Sequence, residues 1–263
     1  MKVVILAGGM GTRLREETEF RPKPMVEIGR RPILWHIMKL YAHHGFTDFV
    51  VCLGYKGDVI RDYFLNYEIR NRDVTVTLGS RNVQIHNGHD EHGWKVTLAE
   101  TGPKTLTGGR LLRAAKYLRG DHFMVTYGDG IANVDISRLV SFHRQHGKLA
   151  TVTAVRPSSR YGELSFRDGL VQVFEEKPQV NEGWINGGFM IFNKRALDFI
   201  SGDVSLEHDL LPRLTKIQEL AVYQHSGFWQ CMDTYREMAA LNELWDAGAP
   251  PWAVWKEPHR AYE

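Results

Sequence analysis

Lys2-Val3-Val4-Ile5-Leu6-Ala7-Gly8-Gly9-Met10-Gly11-Thr12-Arg13 opens on an apolar, largely β-branched run, Val3 to Ala7, that stops abruptly at glycine. A continuous apolar run, as opposed to an alternating one, predicts a short strand buried on both faces, the situation of a parallel sheet with helices on either side. The residues after it, Gly8 to Arg21, read as a long loop, because Pro22 and Pro24 forbid an immediate long helix.

Working outward, Pro32 with Ile33, Leu34, Ile37, Met38 and Tyr41 has helical spacing closed by Gly45. Asp48 to Leu53 is a second strand, Val59, Ile60, Tyr63 and Phe64 mark another amphipathic helix, and Leu111 to Leu118 a third. Val74 to Leu78 and Val96 to Leu98 read as strands between them. His122 to Tyr127 is again a buried-strand run, and it ends at Gly128-Asp129-Gly130. This alternation predicts a Rossmann-like, mixed but mostly parallel α/β sheet flanked by helices, with ligands at the carboxyl ends of its strands. From Ala150 the pattern turns strand-rich: Ala150 to Val155, Glu163 to Phe166, Leu170 to Phe174 and Ile185 to Phe192 suggest an antiparallel extension. Helices over Leu206 to Gln218 and Tyr235 to Trp245 flank a short strand at Leu220 to Tyr223.

With 263 residues and no repeat or low-complexity linker, one large domain accommodates the whole chain. Charged residues make up 24% and nearly cancel to +2, which argues against nucleic acid as a partner. Cys52 and Cys231 stand far apart without a CxxC pair, so neither a disulfide framework nor a cysteine zinc site is expected. The apolar start is too short for a signal segment and no later run reaches transmembrane length, so a cytoplasmic location without a membrane partner is expected.

Gly8 to Arg13 sets several unobstructed backbone amides beside an arginine, an arrangement able to cradle and neutralise phosphate oxygens. A tight βα turn with no ligand is the competing reading. The loop lacks the terminal Gly-Lys-Ser/Thr of a Walker A motif and the third glycine of a dinucleotide fingerprint. Arg21-Pro22-Lys23-Pro24-Met25 adds a lysine stiffened on both sides by proline, so Lys23 reads as positioned, not merely solvated.

Leu-Ala-Gly-Gly-Met-Gly-Thr-Arg-Leu, from Leu6 to Leu14, followed by Lys23-Pro24-Met25, is similar to the signature of the sugar-1-phosphate nucleotidyltransferases. Lys56-Gly57, Tyr127-Gly128-Asp129-Gly130, Glu176-Lys177-Pro178, Ile185-Asn186-Gly187-Gly188-Phe189 and Phe228 to Thr234 follow in the family's order, so the resemblance runs from Met1 to about Trp255. Arg31 to Lys39 and Leu106-Thr107-Gly108-Gly109-Arg110-Leu111 most resemble the branch that takes CTP and glucose 1-phosphate.

The resemblance implies a nucleotide portion over about 1–150, a sugar-phosphate portion over about 151–245 and a tail at 246–263. It implies an in-line displacement at the α-phosphorus of CTP by the phosphate of glucose 1-phosphate, assisted by Mg2+, in a homo-oligomer. Arg13, Lys23 and Asp129 would be catalytic, and Asp129 and Asp233 would hold the metal. Leu6, Ala7, Gly8, Gly9, Met10, Gly11, Thr12, Arg13, Lys23, Thr105, Thr107, Gly108, Gly109, Arg110 and Gly128 would surround the nucleotide. Glu176, Lys177, Asn186, Gly187 and Gly188 would receive the sugar phosphate. The residues themselves leave alternatives open: Asp129 as a turn residue, Asp233 as a helix cap, Lys177 as a solvated lysine, Arg110 as a partner within its own helix. The same transfer with another nucleotide or another sugar or polyol phosphate is the near rival, and a non-catalytic nucleotide-sugar sensor is the rival of another class. His86-Asn87-Gly88-His89-Asp90-Glu91-His92 reads as a polar inter-strand loop, with a zinc or nickel site as its alternative. Trp245, Trp252 and Trp255 read as cover for a core or a subunit contact.

Overall fold

The structure, a computed structural model, describes residues 1–80, 82–86, 88–157 and 183–256, with the backbone of two strands, Glu163–Arg167 and Leu170–Glu175. Seven strands form the central sheet: β1 (Lys2–Leu6), β2 (Asp48–Leu53), β3 (Lys95–Glu100), β4 (His122–Tyr127), β5 (Ala150–Val155), β6 (Ile185–Asn193) and β7 (Leu220–His225). Their order is β7-β5-β6-β4-β1-β2-β3. Only β6 runs against its neighbours; β4, β1, β2 and β3 pair in parallel, as do β5 and β7. The chain leaves β1 toward β2 and β3, then returns to place β4 on the other side of β1. A crevice therefore opens between the carboxyl ends of β1 and β4, where ligands bind in folds of this kind.

Alternate residues of β1 serve opposite faces. Val3, Ile5 and Ala7 pack with α1 (Ile33–His43), while Val4 and Leu6 pack with Leu111 and Ala114 of α3 (Thr107–Ala114) and with Leu211 and Leu214 of α5 (Leu211–Lys216). Double coverage is why the strand reads as an uninterrupted apolar run. α2 (Gly57–Leu65) joins the α1 side through Ile60 and Tyr63.

Several helices differ from the sequence reading: a short helix, Arg15–Thr18, interrupts the expected loop, Tyr67–Asn71 adds another, and the helix expected from Leu206 opens as a π-helical turn, Leu206–Leu210. α3 starts at Thr107, before the expected Leu111, so Gly108 and Gly109 lie in its first turn. A Cβ on either would run into Val204 or Asp203, at 2.7 Å from the Val204 carbonyl oxygen and 2.2 Å from Asp203 Oδ1. Glycine permits that approach, and both amides donate to the Val204 oxygen, at 2.9 and 3.1 Å. The helix α4 (Ile136–His146) was not anticipated, although Asp135 caps it by accepting from Arg138 N and Gly147 closes it at φ 65°. α6 (Tyr235–Asp246) falls where expected.

The tail tryptophans pack inward. Trp252 is buried, stacks on Phe228 and Trp245, and donates from Nε1 to His36 Nδ1 on α1. No helix among the described residues is long and apolar enough to cross a membrane.

Candidate active site

The crevice at the ends of β1 and β4 is a cleft of about 520 Å3. Leu6, Ala7, Gly8, Gly9, Gly11, Thr12 and Arg13 line it from one side, Lys23, Gly128, Asp129 and Asp233 from another, and Thr105, Thr107 and Arg110 from a third. Most of the residues expected around a nucleotide thus share one cavity. Met10 is exposed and absent from its lining, and Gly108 and Gly109 are engaged with Val204 behind it.

At its centre lies a charge cluster. Lys23 sits on a single 3-10 turn, Lys23–Met25, made between Pro22 and Pro24 and closed by Met25 N to Pro22 O. Its ammonium is buried and donates to Asp129 Oδ2 at 2.6 Å and to Asp233 Oδ1. Arg13 Nη1 donates to the other oxygen of Asp233, at 2.7 Å. Burial works against the Lys23 charge, but the Asp129 carboxylate and hydrogen bonds to both aspartates outweigh it and raise the pKa. Burial likewise disfavours the Asp233 carboxylate, yet Lys23 and Arg13 hold it below its ordinary value.

Residues far apart in sequence meet here through a two-stranded ribbon. Trp229–Cys231 pairs antiparallel with Gly130–Ala132, Cys231 opposite Gly130, and Met232 N donates to the Asp129 carbonyl. Asp129 and Asp233 are thereby brought side by side. The cap of α6 is Thr234, which accepts from Glu237 N in a reciprocal capping box, so the Asp233 carboxylate is left to Lys23 and Arg13. Asp129, Cys231 and Asp233 form the only group of three metal-ligating side chains among the described residues, with donor atoms within 4.8 Å of one another. Burial first, and the Asp129 charge second, push the Cys231 thiol up, so it is neutral and unsuited to act as a nucleophile.

Arg110 sits beneath the glycine loop. Its buried guanidinium donates to the carbonyls of Leu53 at 2.9 Å and Gly8 at 3.0 Å, and to Thr101 Oγ1 at 2.8 Å. A Cβ at Gly8 would overlap that guanidinium. The arginine therefore binds the ends of β1 and β2 together and fixes the loop's floor, while its edge still lines the cleft.

One wall was not anticipated from the sequence. Tyr127, Ser205, Glu207 and His208 also line the cleft. Asn186 adjoins them through Tyr127, its Nδ2 lying 3.4 Å from the phenol oxygen, and its Oδ1 accepts from Gly188 N. Gly187 offers its carbonyl to Trp229 Nε1 at 2.8 Å. Glu176 and Lys177 lie outside the described residues. In the histidine-rich loop, His89 pairs with Glu68 and Glu91 and stacks on His92, so these described residues act as a hydrogen-bonded polar loop.

A glycine loop, two aspartates and a lysine thus gather at the switch point of such a sheet, groups of the kind that phosphate transfer calls for. The chain belongs to the nucleotidyl transferase family, whose model matches residues 2–246. It is 49% identical to the glucose-1-phosphate cytidylyltransferase of Salmonella typhimurium (strain LT2), over 97% of this chain and 100% of that protein. Identity to the glucose-1-phosphate cytidylyltransferase of Salmonella typhi is 48%, with the same coverage of both chains. Among solved structures, a UDP-glucose pyrophosphorylase in complex with UDP-glucose superposes with a TM-score of 0.68 at 15% identity, over 94% of this chain and 98% of that one. That likeness bears out the expected fold.

Proposed function

We propose that this chain transfers a cytidylyl group from CTP to α-D-glucose 1-phosphate, giving CDP-glucose and pyrophosphate. The observation that carries the reading is the Lys23–Asp129–Asp233–Arg13 cluster at the lip of the glycine loop, in a chain so similar over its full length to cytidylyltransferases. An oxygen of the sugar phosphate attacks the α-phosphorus, the bond to the bridging oxygen breaks, and pyrophosphate leaves. Two anions must approach each other, so the protein's contribution is positive charge and alignment. Lys23 supplies an ammonium fixed by two prolines for the charge developing at the α-phosphate. Arg13, more exposed at the mouth, takes the β- and γ-phosphates. The amides from Gly8 to Thr12 cradle the remaining oxygens.

Two carboxylates on separate strand ends suit a hard divalent cation bound through oxygen, and the neutral thiol of Cys231 adds little for such an ion. Asp129 and Asp233 would hold Mg2+. When bound, that ion supplies further positive charge for the triphosphate. Asn186, Gly187 and Gly188, with Glu176 and Lys177, are assigned to the acceptor, a carboxylate and an amide for its hydroxyls and a lysine for its phosphate.

Pyrophosphate release measured over CTP, UTP, dTTP, ATP and GTP, each with a panel of sugar and polyol phosphates, tests the reading. CTP with glucose 1-phosphate is expected to give the highest kcat/KM. A preference for UTP or dTTP overturns the cytidylyl assignment, and no turnover with any pair favours a non-catalytic sensor.

A further inference from the structure

Three hydroxyls converge on one carboxylate in the lining of the cleft. Tyr127 donates to Glu207 Oε1 at 2.5 Å, while Thr107 Oγ1 at 2.7 Å and Ser205 Oγ at 2.6 Å donate to Oε2. Thr107 in turn accepts from Leu206 N, and Ser205 accepts from the amides of Glu207 and His208. Each of these two hydroxyls thus has its single proton committed to Glu207. The segment carrying the carboxylate, Leu206–Leu210, is wound as a π-helical turn, a rare conformation that recurs at functional sites. All four residues line the cleft, so the network faces a ligand space and not the core.

We propose that Glu207 is a positioning residue for the acceptor: it takes the Tyr127 proton, so that the phenol oxygen can only accept, from Asn186 Nδ2 at 3.4 Å and from a sugar hydroxyl. This rests on the cytidylyl-transfer reading of the same cleft. An ionised carboxylate can only accept, so the direction of the Tyr127–Glu207 bond is fixed. Burial works against the Glu207 carboxylate, but the hydrogen bonds from Ser205, Tyr127 and Thr107 outweigh it and hold it below its ordinary pKa. Tyr127 is tied on one side to Asn186 on β6, and through Glu207 on the other to Thr107 at the start of α3. Glu207 therefore joins the acceptor side of the cleft to its nucleotide side. Its binding partners are polyhydroxylated acceptors with a free donor hydroxyl at that spot.

Glu207→Gln keeps the shape but offers an amide N–H to the phenol oxygen, which turns the Tyr127 proton toward the cleft. KM for glucose 1-phosphate is expected to rise about tenfold, with kcat within about threefold and CTP binding by calorimetry unchanged. Tyr127→Phe is expected to give a similar rise, and the double variant no further one, because both remove the same oriented acceptor. An acceptor KM within about twofold of wild type in folded, CTP-binding Glu207→Gln, or additive losses in the double variant, overturns the proposal. Wild type that binds CTP yet releases no pyrophosphate with glucose 1-phosphate defeats the functional reading instead. The same comparison on the pair that wild type does use then decides the role of Glu207.

Discussion

Strand β4 carries a polar cluster at each end, and the two are built on opposite electrostatic plans. At its start His122 Nδ1 lies 3.0 Å from His143 Nε2, and His143 Nδ1 and His146 Nε2 lie 2.8 and 2.7 Å from Thr151 Oγ1. Burial first, then the charges of neighbouring His122, His146 and Arg144, lower the His143 pKa to about 4, so His143 is neutral and the cluster closes upon itself. Just beyond its other end, Lys23 bridges Asp129 and Asp233 while Arg13 pairs with Asp233, a set of opposite charges gathered at a cleft. Enclosed polar groups minimise charge, because nothing outside can compensate it. Groups that meet opposite charges keep their own, because each cation compensates a carboxylate. The same strand thus ends once in a structural knot and once in a reactive one.

Removing charge from the reactive end is expected to have the largest effect. Lys23→Met should lower kcat/KM for pyrophosphate release about a thousandfold, on the order of 4 kcal/mol of transition-state stabilisation, whereas His146→Gln at the opposite end should leave it within about threefold. Equal losses would erase the contrast. Adding charge to the neutral end comes next. The unfolded chain binds a proton on His143 near pH 6.5, but the folded chain only near 4. Stability is therefore fully present above about 6.5 and lost as the pH falls toward 4, by roughly 2–3 kcal/mol for this group. Urea unfolding at pH 7.5 and pH 4.5 should show that loss, and His143→Gln should flatten it. His36, lowered to about 4 mainly by its burial, adds a slope of the same sign that survives in that variant. The smallest effect should come from Thr234→Ala, which removes the cap beside Asp233 and costs about 1 kcal/mol in urea unfolding. A kcat drop beyond tenfold there would mean that Asp233 depends on the cap more than the ribbon from Trp229 to Cys231 allows.

β1, β2, β4 and β5 were legible almost to the residue, because burial on both faces writes itself into sequence as an unbroken apolar run. The start of α3 was not, because Gly108-Gly109 reads as a loop until Val204 is seen pressed against it. α4 had an Asp135 cap, a Gly147 stop and buried Ile136, Leu139, Val140 and His143 at helical spacing, a signal present and passed over. Lys23 was legible locally through its two prolines. The meeting of Asp129 with Asp233 depends on a long-range ribbon, and only the family's motif order pointed to it. Nothing local marks Glu207: the role proposed for it comes from three hydroxyls on separate segments, beyond the reach of spacing or composition. Arg110, expected beside the nucleotide, has its guanidinium engaged under the loop, where the carbonyls of Gly8 and Leu53 are close.

The central claim is direct transfer, with charge and alignment in place of a covalent nucleophile, and the stereochemistry at phosphorus reports on it without reference to any variant. CTP bearing a single-isomer α-phosphorothioate, turned over with glucose 1-phosphate, should give CDP-glucose with inverted configuration at the α-phosphorus, as one in-line displacement requires. Retention of configuration would require two displacements through a nucleotidylated side chain and would contradict the roles given to Lys23, Asp129 and Asp233.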